Sequence, residues 1–366
     1  MRLRTFLLAA VAIALGAQTP ANWGLGRFVR PADGNPIIAP LASSVLSCPM
    51  RKAPVHWEGL HTFNPAAVVR NGKVYVIYRA EDDSGEMQIG MHTSRLGLAE
   101  SDDGLHFTRR PLPVLYPAED AEKEREWEGG CEDPRVVESP DGTYVLTYTQ
   151  WNRKITGAAI ATSKDLMTWT KHGPAFAHAS GGKYLRLSHK SAGIVTRIAG
   201  ERLIAAKIDG KYWMYWGEGE VHLATSSDLI DWRPVEDAAG SPVVVLGKRA
   251  GRFDSSFPEV GPPPVLTRDG IVVLYNGKNA SDGGDPNLAA GTYAAGVALF
   301  AASDPAKLIA RTAGAVFQPE MPFEKSGQYA AGTTFTEGLV LFRGKFFLYY
   351  GCADSLVGTA VSDGPE

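Results

Sequence analysis

A short sequence unit recurs five times along the chain, and this repeat restricts the possible folds more than any other feature. Each copy leads from an apolar strand end into a Ser or Ala, then an Asp, and most copies continue to a Leu or an aromatic residue. The copies are LAESDDGLHF (98–107), IATSKDLMTW (160–169), LATSSDLIDW (223–232), LFAASDPAKL (299–308) and GTAVSDG (358–364). The first four aligned aspartates are 62, 63 and 76 residues apart. A period of this length holds one supersecondary unit, so five such units are expected.

The stretches between the repeats read as β-strands. They alternate apolar and polar residues, or are continuously β-branched and aromatic, and turn residues flank them. Examples are KVYVIYRA, TYVLTYTQW, RLIAAKIDG, GIVVLYNGK and KFFLYYGCA. Four strands in each of five units predict an all-β fold, a five-bladed β-propeller that forms a single domain over residues 22–366. A β-sandwich or barrel is the alternative, but neither accounts for five repeats.

The repeated Asp is expected to be structural. A Ser and an Asp before Gly or Leu suit a turn, because their side chains accept hydrogen bonds from the backbone two residues on. Asp103, Asp165 and Asp228 are therefore predicted to hold turns, and Trp169 and Trp232 are predicted to pack between blades.

The first 21 residues read as a secretory signal peptide. Arg2 and Arg4 precede an apolar run from Phe6 to Leu15, and small residues follow up to Ala21. The run is too short for a membrane span in the mature protein, so the protein is expected to be exported, to the periplasm or outside the cell. The net charge of −3 and the lack of long single-sign runs give no indication of a nucleic acid partner.

Polar residues that fit poorly with a strand interior recur about once per predicted blade. Asn64 and Arg79 lie in the first unit, the CEDPR motif (131–135) in the second, and Lys190 in the third; Glu218, Glu259 and Asp354 follow in later segments. Because the inner strands of a propeller converge on a central channel, these residues are expected to share one mouth of it.

The motifs FNPAAVVRNGKVYVIYRAEDDSG, GGCEDPRVVESPDGTYVLTYTQ, HKSAGIV, SSFPEVGPPPVL and YYGCADSLVGTAVSD together resemble glycoside hydrolase family 130. The resemblance extends over about residues 50–364, and it implies a five-bladed propeller that acts on β-mannosides. Asp133 matches the family's proton donor, the acid that protonates the leaving oxygen. The resemblance also implies an oligosaccharide-binding set, which comprises Asn64, Arg79, Arg95, Glu132, Arg135, Lys190 and Asp354.

The family contains inverting hydrolases and inverting phosphorylases, and two glutamates favour hydrolysis here. Glu218 in YWGEGEVHL and Glu259 in SFPEVGPP resemble the water-activating base of the hydrolases, and negative charge at these places would repel phosphate. The predicted export points the same way, since an exported phosphorylase would release its sugar phosphate outside the cell. The main expectation is therefore an exported inverting hydrolase of β-mannosides, with β-1,2 linkages favoured.

Two alternatives stay open. A β-mannoside phosphorylase that releases α-mannose 1-phosphate would bind phosphate through basic groups such as Lys190 and His189. A non-catalytic glycan-binding propeller would need the aromatic and Arg positions, but not Asp133 together with Glu259. No Cys-x-x-Cys or His-Glu-x-x-His motif occurs, so neither a metal nor another cofactor is expected.

Overall fold

The computed structural model describes residues 23–363, and the predicted signal peptide lies outside them. The regular secondary structure of the described chain is almost entirely β-strand, which confirms the all-β prediction. It has one short α-helix, α1 (Lys123–Glu126), and two 3₁₀ segments, Ala179–Arg186 and Pro322–Glu324. None of the described helices is long and apolar enough to cross a membrane.

The strands follow one another as antiparallel groups in chain order, after a short hairpin of β1 (Leu46–Cys48) and β2 (Ala53–Val55). The first group is β3 (His61–Arg70), β4 (Lys73–Glu81), β5 (Ser94–Ser101) and β6 (Thr108–Arg109). The second group is β7 (Gly130–Glu138), β8 (Tyr144–Trp151), β9 (Thr156–Ser163) and β10 (Thr170–Pro174).

The third group is more divided. It contains β11 (Ala192–Ile194), the hairpin of β12 (Thr196–Ala199) and β13 (Arg202–Ala205), then β14 (Lys207–Ile208), β15 (Lys211–Trp216), β16 (Val221–Ser226), β17 (Trp232–Pro234) and β18 (Val244–Leu246). The fourth group is β19 (Phe257–Val260), β20 (Val265–Thr267), β21 (Gly270–Lys278), β22 (Tyr293–Ala301) and β23 (Asp304–Arg311). The fifth is β24 (Thr334–Phe342), β25 (Lys345–Cys352) and β26 (Leu356–Asp363).

Hydrophobic clusters lie between neighbouring groups, because both faces of the central strands are buried. In β4, for example, Ile77 belongs to a cluster shared with the second group, whereas its neighbour Tyr78 belongs to one shared with the fifth. Side chains alternate between the two faces of a strand, so one apolar strand can serve two interfaces. The N-terminal segment adds to the fifth group, since Val29 and Val361 exchange two backbone hydrogen bonds of 2.8 Å.

The repeated Asp forms the same turn in three copies, as predicted. In Asp103, Asp165 and Asp228, Oδ1 accepts hydrogen bonds from the backbone N–H groups two and three residues later, at 2.8–2.9 Å. The indole of Trp232 closes its turn by donating to the carbonyl of Leu229, and the ring packs in the cluster between the second and third groups. These aspartates therefore hold turns and are not site residues.

Candidate active site

Irregularities in the first strands of three groups carry polar side chains. The pairing register shifts between Phe63 and Pro65 in β3, between Glu132 and Arg135 in β7, and between Thr336 and Gly338 in β24. Such bulges redirect a side chain that regular alternation would place elsewhere. Asn64 and Asp133 lie in the first two bulges with φ of 45° and 46°, and Asn64 Nδ2 donates to Asp133 Oδ1 at 2.9 Å.

Arg79 connects the acids of the candidate site, which form a cluster of charged residues around it. Its Nη2 donates to Glu81 Oε1 at 2.7 Å and to Glu132 Oε1 at 2.8 Å, and its Nη1 donates to Asp133 Oδ1 at 3.1 Å. Its Nε donates to Ser94 Oγ at 2.9 Å. The guanidinium is thus fixed on all sides by buried acceptors, and it brings the two adjacent acids of the CEDPR motif together.

The pKa values of the two neighbouring acids, Glu132 and Asp133, shift in opposite directions. Burial and the charge of Asp133 raise the pKa of Glu132, although Arg79 opposes this. Burial also disfavours the charged form of Asp133, but Arg79, Lys190 and the hydrogen bond from Asn64 outweigh it and lower the pKa of Asp133. Two close carboxyl groups that share one cation tend to hold one proton between them. The opposite shifts favour the neutral form of Glu132 and the charged form of Asp133.

A second part of the cluster is built around Lys190. Its Nζ lies 3.3 Å from Glu218 Oε1 and 3.8 Å from Glu259 Oε1. Glu218 and Glu259 form an isolated antiparallel bridge that holds their segments together. The Glu259 side chain is only 1% exposed and accepts a hydrogen bond from the Ser191 hydroxyl, whereas Glu218 is 40% exposed. Burial and the charge of Glu218 raise the pKa of Glu259, although Lys190 opposes this.

Electrostatic coupling links the two parts of the cluster. The charge of Lys190 acts on Asp133, Glu132 and Asp354 as well as on its two glutamate neighbours. Burial raises the pKa of Asp354 to about 7; Asp133 and Glu81 also raise it, against Arg79. Six acids thus surround two cations.

Some predicted residues lie elsewhere. Arg95 pairs in register with Ala80, so it lies on the opposite face of the sheet from Arg79 and donates to Asp82 Oδ2 at 2.5 Å. Arg135 is buried below the site, where it donates to the carbonyls of Val260 and Gly261 at 2.7 and 2.8 Å. Both arginines therefore serve as internal ties rather than as groups that face a sugar.

His189 is not an anion ligand, which corrects the open alternative raised for it. Its Nδ1 accepts from the N–H of Ala158 and its Nε2 lies 3.1 Å from the carbonyl of Tyr184, so both ring nitrogens are occupied. Burial lowers the pKa of His189 to about 4. The neutral ring packs between Phe176 and Trp216, and Trp216 is likewise a core residue.

Several residues of the cluster are not identified by sequence reasoning. Ser94 and Ser191 contact its charged groups directly, and nothing in their local sequence separates them from ordinary strand residues. Glu81 also contacts Arg79, but the sequence does mark it, as the first of three acids in YRAEDD. Tyr329, which sequence reasoning does identify as a candidate for stacking on a sugar, stands edge to face with Tyr293 at 5.9 Å, and the pKa of each hydroxyl is raised by burial and by the acids of the site. Such aromatic groups next to acids suit the apolar face of a sugar.

One further group combines histidine and carboxylate ligands. A ring nitrogen of His61, a carboxylate oxygen of Glu81 and a ring nitrogen of His92 all lie within 4.8 Å of one another. No metal motif marks these positions in the sequence, because they come together only through strand pairing and a loop.

Comparison with known proteins identifies the family. The family model Glyco_hydro_130, described as beta-1,4-mannooligosaccharide phosphorylase, matches residues 45–364. A 1,2-beta-oligomannan phosphorylase of Thermoanaerobacter sp. (strain X514) is 32% identical over 85% of this chain and 93% of its own length.

Two solved structures are more similar still. A glycosyl hydrolase from Bacteroides ovatus is 52% identical, with a TM-score of 0.92 over 94% of this chain and 95% of that one. A second structure, also 52% identical with a TM-score of 0.92 over 93% and 95% of the two chains, is described with the words "The GH130 family of mannoside phosphorylases contains glycoside hydrolases that target beta-1,2 mannosidic linkages in Candida mannan".

The expectation of hydrolysis as the main activity is contradicted by the family description and the curated relative, both of which name phosphorylases. The structure supplies a physical reason why the sequence argument failed. Glu218 and Glu259 were expected to repel phosphate, but Lys190 lies within 3.8 Å of both, and burial raises the pKa of Glu259, which favours its uncharged form. On the extent of the family match and the shared motifs, the chain belongs to glycoside hydrolase family 130.

Proposed function

We propose that this protein is a β-mannoside phosphorylase, which transfers a mannosyl group from a β-1,2-linked manno-oligosaccharide to inorganic phosphate. The observation that carries the proposal is the position of Lys190. Its ammonium group lies between two carboxyl groups and within the electrostatic reach of Asp133. It is therefore a cation that can bind an incoming anion near the acid expected to act on the leaving group. The linkage follows the name of the curated relative.

The proposed reaction inverts the anomeric carbon. Phosphate attacks that carbon from the face opposite the glycosidic oxygen, the carbon–oxygen bond breaks, and the leaving oxygen takes a proton. The product is α-mannose 1-phosphate together with a shortened oligosaccharide. Asp133 is the proposed proton donor, as the family resemblance implies.

Phosphate itself helps to prepare the acid. In the free protein, Lys190 and Arg79 keep the pKa of Asp133 low. An anion bound to Lys190 offsets part of that positive field, and a like charge nearby raises the pKa of a carboxyl group. The same field acts on Glu132, whose carboxyl shares Arg79 with Asp133, so a bound anion favours a proton on this pair of acids. Binding of phosphate thus favours the protonated form of Asp133, the proposed proton donor.

The test is incubation of the purified protein with β-1,2- and β-1,4-mannobiose, with and without phosphate, followed by separation of the products. The proposal expects α-mannose 1-phosphate only when phosphate is present, and faster turnover of the β-1,2 substrate. Asp133→Asn is the matched inactive control. Release of free mannose at the same rate without phosphate would overturn phosphorolysis, and binding without any turnover would favour a glycan-binding module.

We also propose that the five antiparallel groups are the five blades of one propeller domain. Each of five hydrophobic clusters joins one pair of groups, and the series includes the pair formed by the first and the fifth. Pairing of the N-terminal segment with β26 also supports a ring, since it ties the two ends of the described chain. A crystal structure in which the first and fifth groups are apart would refute this arrangement.

A further inference from the structure

The histidine–carboxylate cluster lies at the edge of the active site. His61 opens β3 and pairs in register with Glu81 at the end of β4, and His92 lies in the loop that leads to β5. One ligand atom from each residue lies within 4.8 Å of the other two. The His61 and His92 rings are 5.8 Å apart in an edge-on arrangement.

The cluster contains polar atoms that receive few or no hydrogen bonds from the described residues. His92 is 4% exposed, and its Nδ1 is buried without a hydrogen-bond partner in the described chain. A buried polar atom in this condition is costly unless a ligand or a water satisfies it. In Glu81, Oε1 is used by Arg79, whereas Oε2 has only a long contact of 3.4 Å from Gln328.

We propose that His61, Glu81 and His92 bind one divalent transition-metal ion. Two imidazoles and one carboxylate form a donor set that zinc prefers, and three protein ligands leave a fourth position for water or a sugar hydroxyl. The half-buried His61 leaves this position accessible. The local charge also permits a cation, because Glu81 and Asp133 together exceed the single charge of Arg79.

The ion acts on the active site through Glu81. Glu81 is bonded to Arg79, and Arg79 in turn is bonded to Asp133, so a ligated Glu81 restricts the position of the guanidinium. Residues that hydrogen-bond to a metal ligand commonly tune the metal site. A bound metal in turn affects those residues through the same hydrogen bonds. The metal is therefore a positioning element, and its binding does not depend on which acceptor, phosphate or water, the enzyme uses.

The test is titration of the chelator-treated full chain with zinc chloride by calorimetry, together with thermal unfolding and metal analysis after dialysis. One ion per chain is expected, with a rise in Tm of roughly 3–5 °C at a hundredfold excess over Kd. His92→Gln and His61→Gln should each weaken zinc binding by at least about tenfold. The control is His56→Gln, since His56 is a neighbouring exposed histidine, and this variant should bind zinc as wild type does.

Three results would overturn the metal site. They are no saturable zinc binding, unchanged affinity in both His61→Gln and His92→Gln, or a water without anomalous signal at the cluster in zinc-soaked crystals. If His92→Gln fails to fold, His61→Gln alone decides the matter, because the half-buried His61 can be replaced with less disturbance.

Discussion

Asp133→Asn is expected to remove turnover while leaving the fold intact. The amide has the shape of the carboxyl group but cannot deliver a proton to the leaving oxygen, so kcat should fall by about 10²-fold or more. That loss corresponds to roughly 2.7 kcal/mol of transition-state stabilisation. Substrate binding should change much less, because the amide still forms hydrogen bonds.

The structure indicates why the variant should fold. The amide oxygen can still accept the hydrogen bonds that Asn64 and Arg79 now give to Asp133, at 2.9 and 3.1 Å. Arg79 also keeps Glu81 and Glu132 as partners. Loss of the Asp133 charge removes one cause of the raised pKa of Glu132, so Glu132 becomes a better counter-charge. The expected loss of stability is about 1–3 kcal/mol.

The assay is product formation from β-1,2-mannobiose with phosphate, alongside urea unfolding. Asp165→Asn is the matched control, because this aspartate holds a distant turn and its Oδ1 remains an acceptor. The control should retain wild-type kcat. Near-wild-type kcat in Asp133→Asn would remove Asp133 from the mechanism, and equal loss in both variants would point to a general effect on folding.

Three further predictions follow from the same geometry. Lys190→Met should raise KM for phosphate on the order of 10²-fold while KM for the sugar changes little; Lys183→Met, which removes a lysine paired with Glu236, should change neither value. Asp354→Asn should gain stability over wild type as pH rises from about 4 to 7, by at most about 1.4 kcal/mol per pH unit, because burial raises the pKa of the wild-type carboxyl to about 7: it stays protonated in the folded state while the unfolded chain ionises. A flat difference in urea unfolding across that range would contradict this. Asp228→Ala should cost about 1 kcal/mol in unfolding free energy with normal kcat, since it removes two turn hydrogen bonds.

The amino-acid sequence by itself determines the strands, the turns and the family. Strand alternation and turn chemistry are local properties, so GIVVLYNGK reads as a strand and is β21 over the same residues. The turn roles of Asp103, Asp165 and Asp228 are predictable for the same reason. The motifs that contain Asn64 and Asp133 are specific enough to place both residues in one site from the sequence alone.

The tertiary structure decides the electrostatics and the long-range contacts. Strand register places Arg95 on the face away from Arg79, although both are arginines of one hairpin. Adjacent acids in one motif acquire opposite pKa shifts because burial and the position of Arg79 differ for each. Lys190 offsets the negative charge of two glutamates, Glu218 and Glu259, that lie 28 and 69 residues further along the chain. A local pattern cannot encode such distances, because they depend on how separate strand groups pack against one another.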